Sequence, residues 1–87
     1  MSRPTSAAHD VVQLPLLDYL AWQAGCACLS DLHFLTPAQR ARLRRAVEAL
    51  PPESAPLRSW NDAAAYIAGA GPAATPEAAR EALLRRL

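Results

Sequence analysis

Apolar residues recur at helical spacing in four separate stretches of the chain, and nowhere do they alternate as a strand would. The first stretch runs from Leu14 to Ala24, with Leu16, Leu17, Leu20 and Ala24 on one face. The second has Leu43, Ala46, Val47 and Leu50 as its stripe, the third Trp60, Ala63, Ala64 and Ile67, and the fourth Leu83, Leu84 and Leu87. Each stretch is a little over ten residues long, so each predicts one short amphipathic helix that must bury its face against the others.

Punctuation sets the boundaries. Thr36-Pro37-Ala38-Gln39 and Thr75-Pro76-Glu77 both place a hydroxyl where it can accept from first-turn N–H groups, with proline where no N–H is needed. Gln39 three residues after Thr36 completes a capping box, and Ser59 is the expected cap of the third helix. Gly25 and the Gly69-Ala70-Gly71-Pro72 run are stops, as is Pro51-Pro52, which opens a stiff connector reaching to Arg58. Ser30 before Asp31-Leu32-His33-Phe34-Leu35 predicts one extra helical turn. The expected fold is therefore all-α: a compact bundle of four short helices, about 14–25, 37–50, 60–69 and 76–87, with an additional turn near 31–35. Residues 1–12 show no periodicity and read as a flexible tail before a single helical domain over 13–87.

Composition narrows the picture further. A chain of 87 residues is one domain at most, and one this small buries only roughly 60–65% of the surface its unfolded form exposes. Its apolar fraction of 52% is largely alanine, so leucine has to supply the core. All nine basic residues are arginine, in keeping with GC-rich coding, and eight acidic residues bring the formal charge to +1. That balance argues against bulk attraction to nucleic acid or to an anionic membrane. Arg3 followed by an apolar run, with Ala24-Gly25-Cys26 beyond it, has the outline of an export signal, but Asp18 and Gln23 interrupt the run. The expectation is a cytoplasmic protein without a membrane span, its cysteines reduced.

Candidate chemistry is sparse. Cys26, Cys28, His33 and His9 contain metal-ligand atoms, yet one residue between two thiolates aims them poorly at one ion. Cys26 or Cys28 with His33 and Asp31 has the makings of a nucleophile, base and orienter, but nothing marks an oxyanion hole or an enclosing pocket. Neither a cofactor nor catalysis is expected. Arg40, Arg42, Arg44 and Arg45 are the densest basic cluster, although helical projection spreads them around the second helix and Arg44 is an i,i+4 partner of Glu48.

The first helix is more informative. Once its leucines face the core, Tyr19 and Trp22 are left together on the far side beside Asp18, and these are the residue types that anchor interfaces. Arg80 interrupts the apolar stripe of the fourth helix next to Leu84, where it either snorkels or belongs to a face completed by another chain. The sequence thus predicts a small non-enzymatic protein-interaction module, a regulator or inhibitor that docks on a larger protein. Its contact residues would be Tyr19, Trp22, Asp18, Arg80 and Leu84, with its arginines meeting acidic groups on the partner's rim. A homodimer would cover the same faces. The alternative expectation is a nucleic-acid-binding regulator using Arg40, Arg42, Arg44 and Arg45.

Overall fold

A proline directly before the first helical residue starts two of the four helices, and a threonine cap starts the other two. In the computed structural model, which describes residues 15–87, α1 spans Leu16–Ala24, α2 Pro37–Ala49, α3 Leu57–Ala68 and α4 Pro76–Arg86. Short 3-10 turns at Leu29–His33 and Pro52–Ser54 join α1 to α2 and α2 to α3. The chain is an all-α bundle of four helices, with no strand among the described residues. The expected tail over 1–12, His9 and the expected start of α1 at Leu14 lie outside those residues.

Thr36 and Gln39 close the capping box as their spacing requires. The Thr36 hydroxyl accepts from Gln39 N–H at 3.1 Å and the Gln39 side chain accepts from Thr36 N–H at 3.0 Å. Thr75 accepts from Ala78 N–H at 3.1 Å. Gly25 ends α1 at φ +81° and Gly69 ends α3 at φ +66°, the left-handed conformation that lets the next N–H groups turn back onto the helix.

Three starts differ from expectation. Ser59 does not cap α3: the helix begins at Leu57, and the carbonyl of Pro56 accepts from Ser59 and Trp60 N–H. Pro56 restricts only the residue before it, so nothing delays the helix after it. The turn between α1 and α2 likewise starts two residues earlier than expected, with Cys28 rather than Ser30 at its head. Asp31 draws it there, because its carboxylate accepts from both Ala27 and Cys28 N–H, at 3.1 and 3.3 Å. Pro15 similarly fixes the first residue of α1 at Leu16.

The most extensive contacts join α1 to α2 and α3 to α4, so the bundle is two helical hairpins packed together. Trp60, Leu20, Leu43, Leu83 and Val47 fill the space between them and are fully buried. Each leucine there contributes about 1.5–3 kcal/mol by leaving water. The indole of Trp60 brings one polar group inside, and its Nε1–H donates to Pro52 O at 2.7 Å. Asn61 is the second polar fastener: half-buried on α3, it donates to Ala73 O and accepts from Ala73 N–H, pinning the loop that leads into α4. Glycine and proline alone leave that loop unanchored.

Candidate functional site

On α1, Leu16, Leu20, Ala21 and Ala24 are buried and Asp18 and Trp22 form the outward stripe. Tyr19 and Gln23 lie between the two, against α2. Trp22 is 68% exposed, one of only two large apolar side chains so open among the described residues. Its ring meets that of Tyr19 at a centroid distance of 6.3 Å and a tilt of 52°. Rings at that separation and tilt attract each other weakly beyond the area they bury.

Tyr19 forms one wall of a groove of about 320 Å³ that Gln23, Arg42, Arg45, Ala46 and Ala49 complete. Alanines make its floor shallow, which admits a partner's backbone or side chains close to α2. Both charged residues in the lining are arginine. The exposed ring of Trp22 therefore stands next to a trough whose charged lining is positive.

The arginines divide by what they hold. Arg42 donates to Ala24 O at 3.4 Å, at the C-terminus of α1. Arg40 and Arg44 reach the C-terminus of α4, donating to Arg86 O at 3.4 Å and Leu84 O at 3.0 Å, and Arg44 also pairs with Glu48 at 3.1 Å. Arg80 returns the contact from α4: its Nε donates to Leu50 O at 2.9 Å and its Nη2 to Glu48 O at 3.1 Å, at the end of α2. Helix ends carry carbonyls without intrahelical partners and a partial negative charge, which is why four guanidinium groups from neighbouring helices gather at three of them. Among the described residues Arg45 makes no such bond.

Arg80 and Leu84 thus sit in the α2–α4 contact, where Arg80 is half-buried and Leu84 packs against the core. Of the five residues expected to form a docking surface, the structure brings together Asp18, Tyr19 and Trp22. The four arginines of α2 do not line one face: three of them turn toward the ends of α1 and α4.

The residues weighed for metal or nucleophilic chemistry have local structural work. Asp31 spends its carboxylate on two backbone N–H groups, and the Cys28 side chain faces Asp31 N–H in a reciprocal cap while contacting Ser30 Oγ at 3.3 Å. His33 turns away from both cysteines and donates from Nε2 to Tyr66 O at 3.0 Å. Burial pushes the Cys26 thiol above its ordinary pKa, helped by the charge of Asp31 and by Cys28, with Arg42 opposing. Cys26 is thereby held as the neutral thiol. Among the described residues no three His, Cys, Asp or Glu side chains converge as a metal site, and no helix is long and apolar enough to cross a membrane.

Phe34 is the exposed aromatic that periodicity does not mark. It is 81% exposed, and it lies between two elements, where no helical face assigns it a side. His33 meets it edge-on at 6.4 Å and stacks on Tyr66 at 4.3 Å. Comparison with protein-family models, with curated proteins and with solved structures returns no match.

Proposed function

We propose that the protein is a small non-enzymatic interaction module that docks on a larger protein as a regulator or inhibitor, using the outer face of α1. The observation that carries this reading is Trp22, 68% exposed, braced by Tyr19 and placed beside a groove lined by Arg42 and Arg45. Docking would remove that indole from water, worth about 1.5–3 kcal/mol for a large apolar side chain, and would set Arg45 against acidic groups at the edge of the contact. The protein would act by occupying a surface of its partner or by bridging two surfaces.

Nucleic-acid binding is the less favoured reading, because Arg40, Arg42 and Arg44 direct donors to carbonyls and not into one groove-facing strip. The test is affinity capture of the full chain from lysate of its own source with nuclease present, using wild type and the Tyr19→Ala/Trp22→Ala variant. The expected result is a stoichiometric protein that wild type retains and the variant does not. Retention of nucleic acid alone, lost on nuclease treatment, would refute the reading.

A further inference from the structure

We propose that the groove between α1 and α2 seats an acidic segment of the partner protein, with two neighbouring carboxylates held by Arg42 and Arg45. This rests on the reading that a protein docks on the outer face of α1, and it names the chemistry of what docks. Tyr19 and Gln23, four residues apart on α1, make one wall, and Arg42, Arg45, Ala46 and Ala49 on α2 make the other wall and the floor. The groove surface is more polar than apolar, so hydrogen bonding has to select the occupant, not the burial of a large side chain.

Its polar groups call for an anion. Arg42 and Arg45 are both exposed and stand three residues apart, which puts their Cβ atoms about 5–6 Å from each other on one side of α2. Arg42 gives one of the N–H groups of its guanidinium to Ala24 O at 3.4 Å, a contact that places it at the end of α1 and leaves its other donors free. Arg45 has no such bond among the described residues, and Tyr19 and Gln23 carry a hydroxyl and an amide on the opposite wall. No carboxylate of the described residues lines the groove: Asp18 lies on the outward stripe of α1, and Glu48 is paired with Arg44 at 3.1 Å. Two forked donors without a counter-charge are matched by two carboxylates at the same spacing. A helical segment supplies these three or four residues apart, an extended one two residues apart.

The other occupants fit less well. Nucleic-acid affinity grows with the number of phosphates neutralised, and only two guanidinium groups line this groove, because Arg40 and Arg44 reach the end of α4. A lone phosphate would leave most of the roughly 320 Å³ to water, whereas the small side chains of Ala46 and Ala49 let a polypeptide backbone come close. A second copy laid on this groove across a two-fold axis would set Arg42 and Arg45 against the same arginines of its mate.

The test is selection of twelve-residue peptides from a random phage-displayed library on the immobilised full chain, followed by fluorescence anisotropy with the labelled winners. The expected winners carry two Asp or Glu residues two to four positions apart, and added salt weakens them. Arg45→Glu weakens binding at least about tenfold, and selection on that variant no longer returns paired acids. Arg58→Glu, the same change of charge at an exposed position on α3, alters binding less than about twofold and controls for net charge. Both substituted side chains are exposed, and circular dichroism checks that the variants fold. Winners without paired acids, equal losses in Arg45→Glu and Arg58→Glu, no winners at all, sedimentation as a dimer that Arg45→Glu disrupts, or Arg45-dependent binding of a labelled oligothymidylate in place of peptide would each overturn the proposal. Winners that need Trp22 but neither acids nor Arg45 would overturn it and leave the docking reading standing. Acidic winners that need Arg45 and not Trp22 would support it and tell against Trp22 as the anchor.

Discussion

Replacing Arg80 with methionine keeps most of an aliphatic stem and removes the guanidinium, which separates two explanations of an arginine in an apolar stripe. If the stem matters because it covers Leu84, Arg80→Met is nearly silent. If the guanidinium clamps α2, the substitution leaves the carbonyls of Glu48 and Leu50 without their donors. A hydrogen bond to a charged group is worth about 1.5–3 kcal/mol. The bond to Glu48 O is exposed and contributes at the low end or below, while the bond to Leu50 O is partly buried. The expected loss is about 2 kcal/mol, a large share of the ~5–10 kcal/mol that holds so small a domain together. In a thermal melt followed by far-ultraviolet circular dichroism, that corresponds to a fall in Tm of about 8–16 °C. Arg85→Met, at an exposed position on the same helix, should shift the melt by no more than about 0.5 kcal/mol. Equal melts for Arg80→Met and wild type would refute the clamp and return Arg80 to the surface as a docking residue.

Other predictions follow from single contacts. Gly25→Ala should destabilise more than Gly69→Ala. Both put a side chain at positive φ, at about 1–2 kcal/mol, but only at Gly25 does the new Cβ fall 3.3 Å from Arg42 Nη2, and urea midpoints in the reverse order would contradict this. Alkylation of Cys26 by iodoacetamide, resolved by tandem mass spectrometry, should rise at higher pH than for an unhindered thiol, because forming its thiolate puts charge into a partly desolvated site beside Asp31. Asp31→Asn should bring that profile down and Arg42→Ala should push it up; a profile at or below the ordinary thiol range would contradict the environment described. With two tryptophans in opposite surroundings, acrylamide should quench Trp22 in the Trp60→Phe variant strongly and Trp60 in the Trp22→Ala variant weakly, and Trp22→Ala should leave stability within about 0.5 kcal/mol of wild type.

The four helices were legible because their apolar spacing and their stops agree. Thr36 and Thr75 do what a threonine before proline is expected to do, and the buried positions Leu20, Leu43, Val47 and Leu83 fall on the stripes that periodicity draws. Starts governed by something other than a hydroxyl cap were harder to read. Pro56 begins α3 through its carbonyl, and a serine three residues later is an equally good cap on paper.

The surface was only partly legible. Trp22 follows from helical projection, since a short helix with four inward positions has few other places to put it, whereas Tyr19, expected beside it on the far side, is half-buried against α2 and packs on the core. The roles of Arg40, Arg42, Arg44 and Arg80 do not follow from projection, because each reaches a carbonyl on a different helix, and the ends of neighbouring helices are brought within reach only by tertiary packing. Phe34 and Tyr66 escape for a similar reason: His33 links a corner to α3 across 33 positions of sequence.

The central claim is that Trp22 meets a partner protein, and site-specific photocrosslinking tests it most directly. With a benzoylphenylalanine at position 22, irradiation of cells that naturally contain the protein should give one discrete heavier adduct composed of protein. The same group in place of Asp62, exposed on α3, should not give that adduct. No adduct from position 22, or an identical set of adducts from both positions, would contradict the account.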